Sequence, residues 1–98
     1  MPQFDTELET LYEIDEPKQY KVILHNDDYT SMDFVMQVLM SIFRKSETEA
    51  GELMMQVHKN GKATCGIFTL EIAKTKVAQV TALAKQNDFP LRTTYEEA

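Results

Sequence analysis

The chain has 98 residues and 43% hydrophobic content, enough for one small domain and too little for two. Its formal net charge is -6, and residues 1–18 carry six acids against one lysine, so the acidity sits at the N-terminal end and no basic stripe remains to hold a phosphate backbone. The single cysteine, Cys65, excludes an internal disulfide, no signal-like apolar region follows Met1, and no apolar run approaches the roughly 20 residues of a membrane span, which points to a reduced cytoplasmic setting with neither membrane nor nucleic acid as partner.

Residues 1–18, MPQFDTELETLYEIDEPK, scatter Phe4, Leu8, Leu11 and Ile14 among acids and stop at Pro17 and Lys18. High charge with few neighbours predicts a flexible acidic arm, leaving residues 19–98 as the folded domain. Tyr20, Val22 and Leu24 alternate with Lys21, Ile23 and His25, a β-branched and aromatic run that suits a half-buried strand. It ends in Asn26, Asp27 and Asp28, side chains that bond their own backbone and stop strands.

Thr30 with Asp33 reads as a helix start, and Val35, Val38, Leu39, Ile42 and Phe43 follow at helical spacing. Ser46 with Glu49 has the form of a capping box, and Ala50, Leu53, Met54, Val57 and His58 repeat the stripe until Asn60 and Gly61 end it in left-handed geometry. Lys62 to Phe68 reads as a second strand, with Gly66 marking a weak point or a close backbone approach. Thr69 can cap a third helix, striped by Ile72, Ala73, Val77, Val80, Leu83 and Ala84 and ended by Asn87 and Pro90 before a strand from Leu91 to Tyr95. The order is β-α-α-β-α-β. Covering every apolar face then calls for an α+β two-layer sandwich, three helices on one side of a small three-stranded antiparallel sheet.

The segments YKVILHNDDYTSM, LMMQVHKNGKATCGIFTLEIAKTKVAQV and FPLRT resemble, in this order, the ClpS adaptors of bacterial and plastid Clp proteases. The resemblance covers nearly everything after the arm and implies the same fold, without catalytic residues or a cofactor. It implies recognition of proteins that begin with Leu, Phe, Tyr or Trp (N-degron substrates) and their delivery to a ClpA-like or ClpC-like AAA+ unfoldase working with the ClpP protease. Residue by residue, it gives Asn26, Asp27 and His58 to the substrate's free α-amino group. Asp28, Thr30, Met32, Val35, Met54, Val57 and Leu91 would shape or support an apolar pocket, with Met32 as the gate against β-branched side chains. Glu71 and Lys76 match positions that dock the unfoldase. Two positions depart from the family pattern: Ser31 stands where Pro is usual, and His25 where an apolar residue is common beside the pocket.

An α-amino group has a reference pKa of about 7.7 to 8.0, so near neutrality it is mostly an ammonium with three hydrogens to donate. A carboxylate, an amide oxygen and a neutral imidazole nitrogen answer those three donors. From spacing alone, Met54, Val57 and Leu91 read as core, His58 as a helix-end residue favoured by the dipole, and Glu71 and Lys76 as a solvated face. Which of Asp27 and Asp28 faces a ligand is likewise open until the resemblance assigns it. A different class of protein would use Asp27, Asp28 and His58 as a small metal- or acid/base-dependent enzyme site. An interaction module whose acidic arm binds a basic partner is a third reading.

Overall fold

The computed structural model describes residues 17–98, so the arm expected over residues 1–18 lies outside it apart from Pro17 and Lys18. Three strands and three helices follow in the expected order: β1 (Gln19–His25), α1 (Met32–Ser41), α2 (Glu47–Asn60), β2 (Lys62–Thr69), α3 (Leu70–Gln86) and β3 (Arg92–Glu97). The sheet is antiparallel in the order β2-β1-β3, which puts the first strand in the middle.

The central position explains the apolar content of β1. Val22 and Leu24 are fully buried and join the helix-side core with Phe34, Val38, Leu39, Ala50, Val57, Ala73 and Val80. Side chains alternate across a strand, so Lys21, Ile23 and His25 take the opposite face. There Ile23 is paired with Thr94 of β3 and Thr64 of β2, which cover it without making it part of the helix-side cluster.

The register slips between Val22 and Ile23, where Cys65 is the extra residue of a bulge in β2. Burial pushes the Cys65 thiol up to about 12, which suits a small apolar residue and not a nucleophile. Gly66 beside it meets the close approach its position suggested, because the Phe68 ring lies over it: a Cβ added there would be 2.5 Å from Phe68 Cζ.

Helix ends show which local signals won. Ser46 and Glu49 form both bonds of the capping box, and Gly61 closes α2 at φ 87° with its N–H donating to Val57. At α1 the cap is Ser31 and not Thr30: the Ser31 hydroxyl accepts from Phe34 N–H at 3.1 Å, while the Thr30 hydroxyl is turned toward Asp27. Ser31 therefore supplies a side-chain cap that proline, with no hydroxyl, cannot. Thr69 precedes α3 as expected but makes no side-chain cap bond. Ile72, placed in the apolar stripe of α3 by spacing, is 48% exposed, since it falls on the flank of the face that Ala73, Val80 and Ala84 bury.

Candidate functional site

The acidic turn is built by Asp27. Its Oδ1 accepts from the backbone N–H groups of Tyr29 at 2.8 Å and Thr30 at 2.7 Å, and its Oδ2 accepts from the Thr30 hydroxyl at 2.7 Å. Burial pushes this carboxyl up, but the three Thr30 and Tyr29 bonds together outweigh it and hold the group below the ordinary aspartate value. It is a fixed carboxylate at neutral pH. Each carboxylate oxygen accepts about two bonds, so Oδ1 is filled while Oδ2 keeps one acceptor position for an outside donor. Asp28, next in the chain, is exposed.

The turn reaches across to the end of α2. Asn26 N–H donates to the Gly61 carbonyl at 2.8 Å, which sets the turn against the last helical residues, His58 among them. Between them, α1 and α2 leave a cavity of about 260 Å³ lined by Asn26, Asp27, Asp28, Thr30, Met32, Val35, Met54, Val57 and His58. Val35 and Val57 are buried and form apolar wall, Met54 is half-buried, and Met32 stands 51% exposed at the rim. The lining of this hollow combines amide, carboxylate and imidazole groups with aliphatic and thioether surface.

All nine lining residues are among those singled out from the sequence, and Leu91 is the one pocket candidate that does not line the cavity. It is 6% exposed and packed in the central core just before β3. His25 also lies away from the cavity. It is on the far face of the sheet, where its Nε2 is 2.7 Å from Thr94 Oγ1, and burial, then the charges of Arg92 and Lys62, hold it below the ordinary histidine value against the opposing charge of Glu96.

Glu71 and Lys76 lie on α3, away from the hollow. Glu71 is exposed in the first turn. Lys76 is half-buried: its ammonium donates to the Ile42 carbonyl at the end of α1 at 2.7 Å and sits 5.8 Å from the Phe68 ring centre. Spacing had given it a solvated face, but its stem and head help terminate α1. Among the described residues no group of three or more His, Cys, Asp or Glu side chains is arranged to hold a metal ion, and no helix is long and apolar enough to cross a membrane.

Residues 15–94 match the family model of the ATP-dependent Clp protease adaptor protein ClpS. The chain is 50% identical over 96 residues to the ATP-dependent Clp protease adapter protein ClpS of Syntrophus aciditrophicus, with 96% of this chain and 90% of that protein covered. To the ClpS of Shewanella piezotolerans it is 54% identical over 86 residues, covering 88% and 84%. Among solved structures, Agrobacterium tumefaciens ClpS2 bound to L-phenylalaninamide superposes with a TM-score of 0.82 at 43% identity, covering 85% of this chain and 100% of that one. The β-α-α-β-α-β sandwich and the sequence agree over the same residues, and the chain belongs to the ClpS family of Clp protease adaptors.

Proposed function

We propose that this protein captures polypeptides by a free N-terminal α-amino group and a large apolar first side chain, Leu, Phe, Tyr or Trp, and hands them to an AAA+ Clp unfoldase. The observation that supports this reading is the mixed lining of the hollow, where Asn26, Asp27 and His58 share one cavity with Met32, Val35, Met54 and Val57. The ammonium would meet the open position on Asp27 Oδ2, the Asn26 amide oxygen and a His58 ring nitrogen. Met32 gates the rim, Thr30 holds the turn through Asp27, and Asp28 helps to shape the pocket. L-phenylalaninamide, the ligand of the Agrobacterium relative, has this chemistry of a free amine beside a benzyl side chain.

Magnitudes agree with a reversible adaptor. Charge-assisted hydrogen bonds contribute on the order of 1.5 to 3 kcal/mol each, and burying a Leu or Phe side chain adds roughly 1.5 to 3 kcal/mol. After the cost of association, micromolar affinity results. An internal Leu or Phe brings no ammonium and leaves the acceptors unpaired, so it is rejected.

Delivery uses other surfaces. Glu71 and Lys76 on α3 face the unfoldase, ClpA-like or ClpC-like, in the cytoplasm, and the acidic segment before β1 is the part it grips. No bond in any substrate is broken by this protein itself. The test is a titration of short peptides differing only in the first residue, with one member acetylated. Free Phe and Leu peptides should bind and acetyl-Phe, Arg and Ile peptides should not; equal binding of free and acetylated Phe peptides rejects the amine site. Deleting residues 2–16 should leave peptide affinity intact while stopping unfoldase-dependent degradation of a folded reporter, and degradation at the parent rate would reject the role of that segment.

A further inference from the structure

Strand pairing sets Lys62, His25 and Arg92 directly opposite one another, at the end of the sheet where β1 stops and on the side away from the helices. Like charges opposite each other on one face of a sheet are destabilising, so this basic row costs stability unless an anion answers it. Lys62 and Arg92 are exposed and neither takes part in an ion pair among the described residues, while Lys21, on the same face, is paired with Glu96 at 3.5 Å. Thr64, Ile23 and Thr94 form the next row, and the Thr94 hydroxyl lies 2.7 Å from the His25 ring. A cavity of about 170 Å³, lined in part by Lys21, Ile23, Lys62, Thr64 and Glu96, opens beside them, and Ile67 is 55% exposed at the level of Lys21. The core cluster and the helices that build it lie on the other face.

We infer that this face is the docking site of the chain's own acidic segment, residues 5–16, whose carboxylates answer the row of Lys62, His25 and Arg92. Residues 1–16 carry six acids and no lysine or arginine, and they join the fold at Pro17, next to the start of β1. From Gln19 to His25 is six residues of strand rise, about 20 Å. A stretch of this length spans up to about 50 Å when extended, so it can turn back at Pro17 and run the length of β1 over the sheet. About six residues cover the distance, which brings residues 9–13, Glu9 and Glu13 among them, to the basic row and passes Ile14 over the cavity at Ile23. Both partners belong to one chain, so the effective concentration is on the order of millimolar and several individually weak surface ion pairs suffice to hold the segment. The basic groups beside α3 suit it less, because the Lys76 ammonium is already bound to the Ile42 carbonyl. A docked segment is withheld from an unfoldase, a consequence that rests on the delivery proposed above, whereas the docking itself does not.

The experiment uses the full chain with Thr10→Cys carrying a nitroxide, since Cys65 is buried with its thiol pushed up to about 12 and stays unlabelled. In nuclear magnetic resonance spectra the label should broaden the amide signals of Lys62, His25, Arg92 and Thr94 more than those of α1 and α3. Raising NaCl from about 0.1 M to about 1 M, which shortens the screening length from roughly 10 to 3 Å, should reduce this broadening about threefold. Glu7→Gln, Glu9→Gln and Glu13→Gln together, or Arg92→Glu alone, should reduce it as much at low salt. The His25 ring, faced by Lys62, Arg92 and Glu96, should titrate at higher pH in the parent than in the triple glutamine variant, because docked carboxylates favour the imidazolium. Broadening spread evenly over the surface, broadening of the row that survives the triple substitution, or equal His25 titration in the two chains overturns the inference. Broadening centred on Arg44 and Gln79 would place the segment against α3 and overturn it too. When nitroxide-labelled chain is mixed with isotope-labelled chain lacking the nitroxide, broadening of the row as strong as in the parent would make a second copy the occupant and overturn docking within one chain. Should Arg92→Glu disturb the pairing of β3, the three glutamines alone decide. Peptide capture is not read in any arm, so the amine site and this inference stand or fall separately.

Discussion

The backbone N–H of Asn26 donates to the carbonyl of Gly61 at 2.8 Å, and this one bond ties the acidic turn after β1 to the end of α2. Asn26 and Asp27 come from one part of the chain and His58 from another, so their separation depends on how α2 stops. Gly61 stops it at φ 87°, where a side chain is strained. Gly61→Ala should lower stability by about 1 to 2 kcal/mol and weaken Phe-peptide binding together. Gly61→Asn, which tolerates left-handed backbone better, should lose less of both. Urea midpoints and peptide titration on the two variants check this; an alanine variant with parent stability would show that the cap carries no strain.

Asp27 and Asp28 should separate cleanly. Asp27→Asn removes a carboxylate fixed by Thr30 and Tyr29 and should weaken a free-amine Phe peptide by roughly tenfold or more, the effect of losing one charge-assisted bond. Asp28→Asn, at an exposed position, should change it by less than about threefold. Reversal of that order would move the amine to Asp28.

Acid denaturation follows from the same turn. The Asp27 carboxyl is held below its ordinary value in the folded protein, so the unfolded chain takes up the proton first as pH falls. Its stabilising contribution is present above the unfolded aspartate value of about 3.9 and is lost as pH falls through the lower folded value. Stability of Asp27→Asn measured from pH 5 to 2 should show a shallower acid limb than the parent; parallel limbs would remove Asp27 from the balance.

His25 gives a second window at higher pH. Its folded value is also depressed, by burial and by Arg92 and Lys62, so neutral His25 supports the fold above the unfolded histidine value of about 6.5. That support is lost as pH falls through the lower folded value. Melting temperatures from pH 7.5 to 5 should fall more steeply for the parent than for His25→Gln. Equal slopes would show that the Thr94 hydroxyl bond survives protonation without loss.

Gly66→Ala places a methyl group 2.5 Å from Phe68 Cζ and 2.7 Å from Phe68 Cε2, so the ring has to shift from its place 6.4 Å from the Phe43 ring. A loss of about 1 to 3 kcal/mol is expected, as for other overpacked sites. Phe68→Leu should relieve part of it, making the double variant less destabilised than the two single losses combined. Strict additivity in urea denaturation would show that the ring is not what the new methyl meets.

Met32→Ala opens the rim of the hollow where the parent side chain stands half in solvent. Peptides beginning with Ile or Val should then bind while the affinity for Leu changes less. Calorimetric titration that shows Ile still rejected would place the gate elsewhere.

Much of this was readable locally. The Ser46–Glu49 box, the left-handed stop at Gly61 and the stripes of α1 and α2 depend on neighbours within a few residues, and the expected elements appear at nearly the expected bounds. Other features needed distance information. Thr30 and Ser31 are both good cap residues, and the choice falls to Ser31 because Asp27 occupies the Thr30 hydroxyl. Leu91 and Val57 look alike as apolar residues near element ends, and both are buried in the core, yet packing puts only Val57 on the wall of the hollow as well. The Thr94 partner of His25 and the extra residue at Cys65 arise from strand pairing across most of the chain, which no short window contains.

The middle place of β1 in the sheet has a consequence for how the protein comes into being. Ile23 is paired with Thr94, about 70 residues away, and with Thr64, about 40 away, so nearly every sheet bond closes a long loop and the chain folds slowly for its size. During synthesis β1 emerges first and waits. Its second edge is unpaired until β3 has left the ribosome, and the apolar run Val22-Ile23-Leu24 is exposed to other chains for that whole interval. Lys21 and His25 flank that run, one charged and one polar, and interrupt it at both ends during the time when no partner strand is there to cover it.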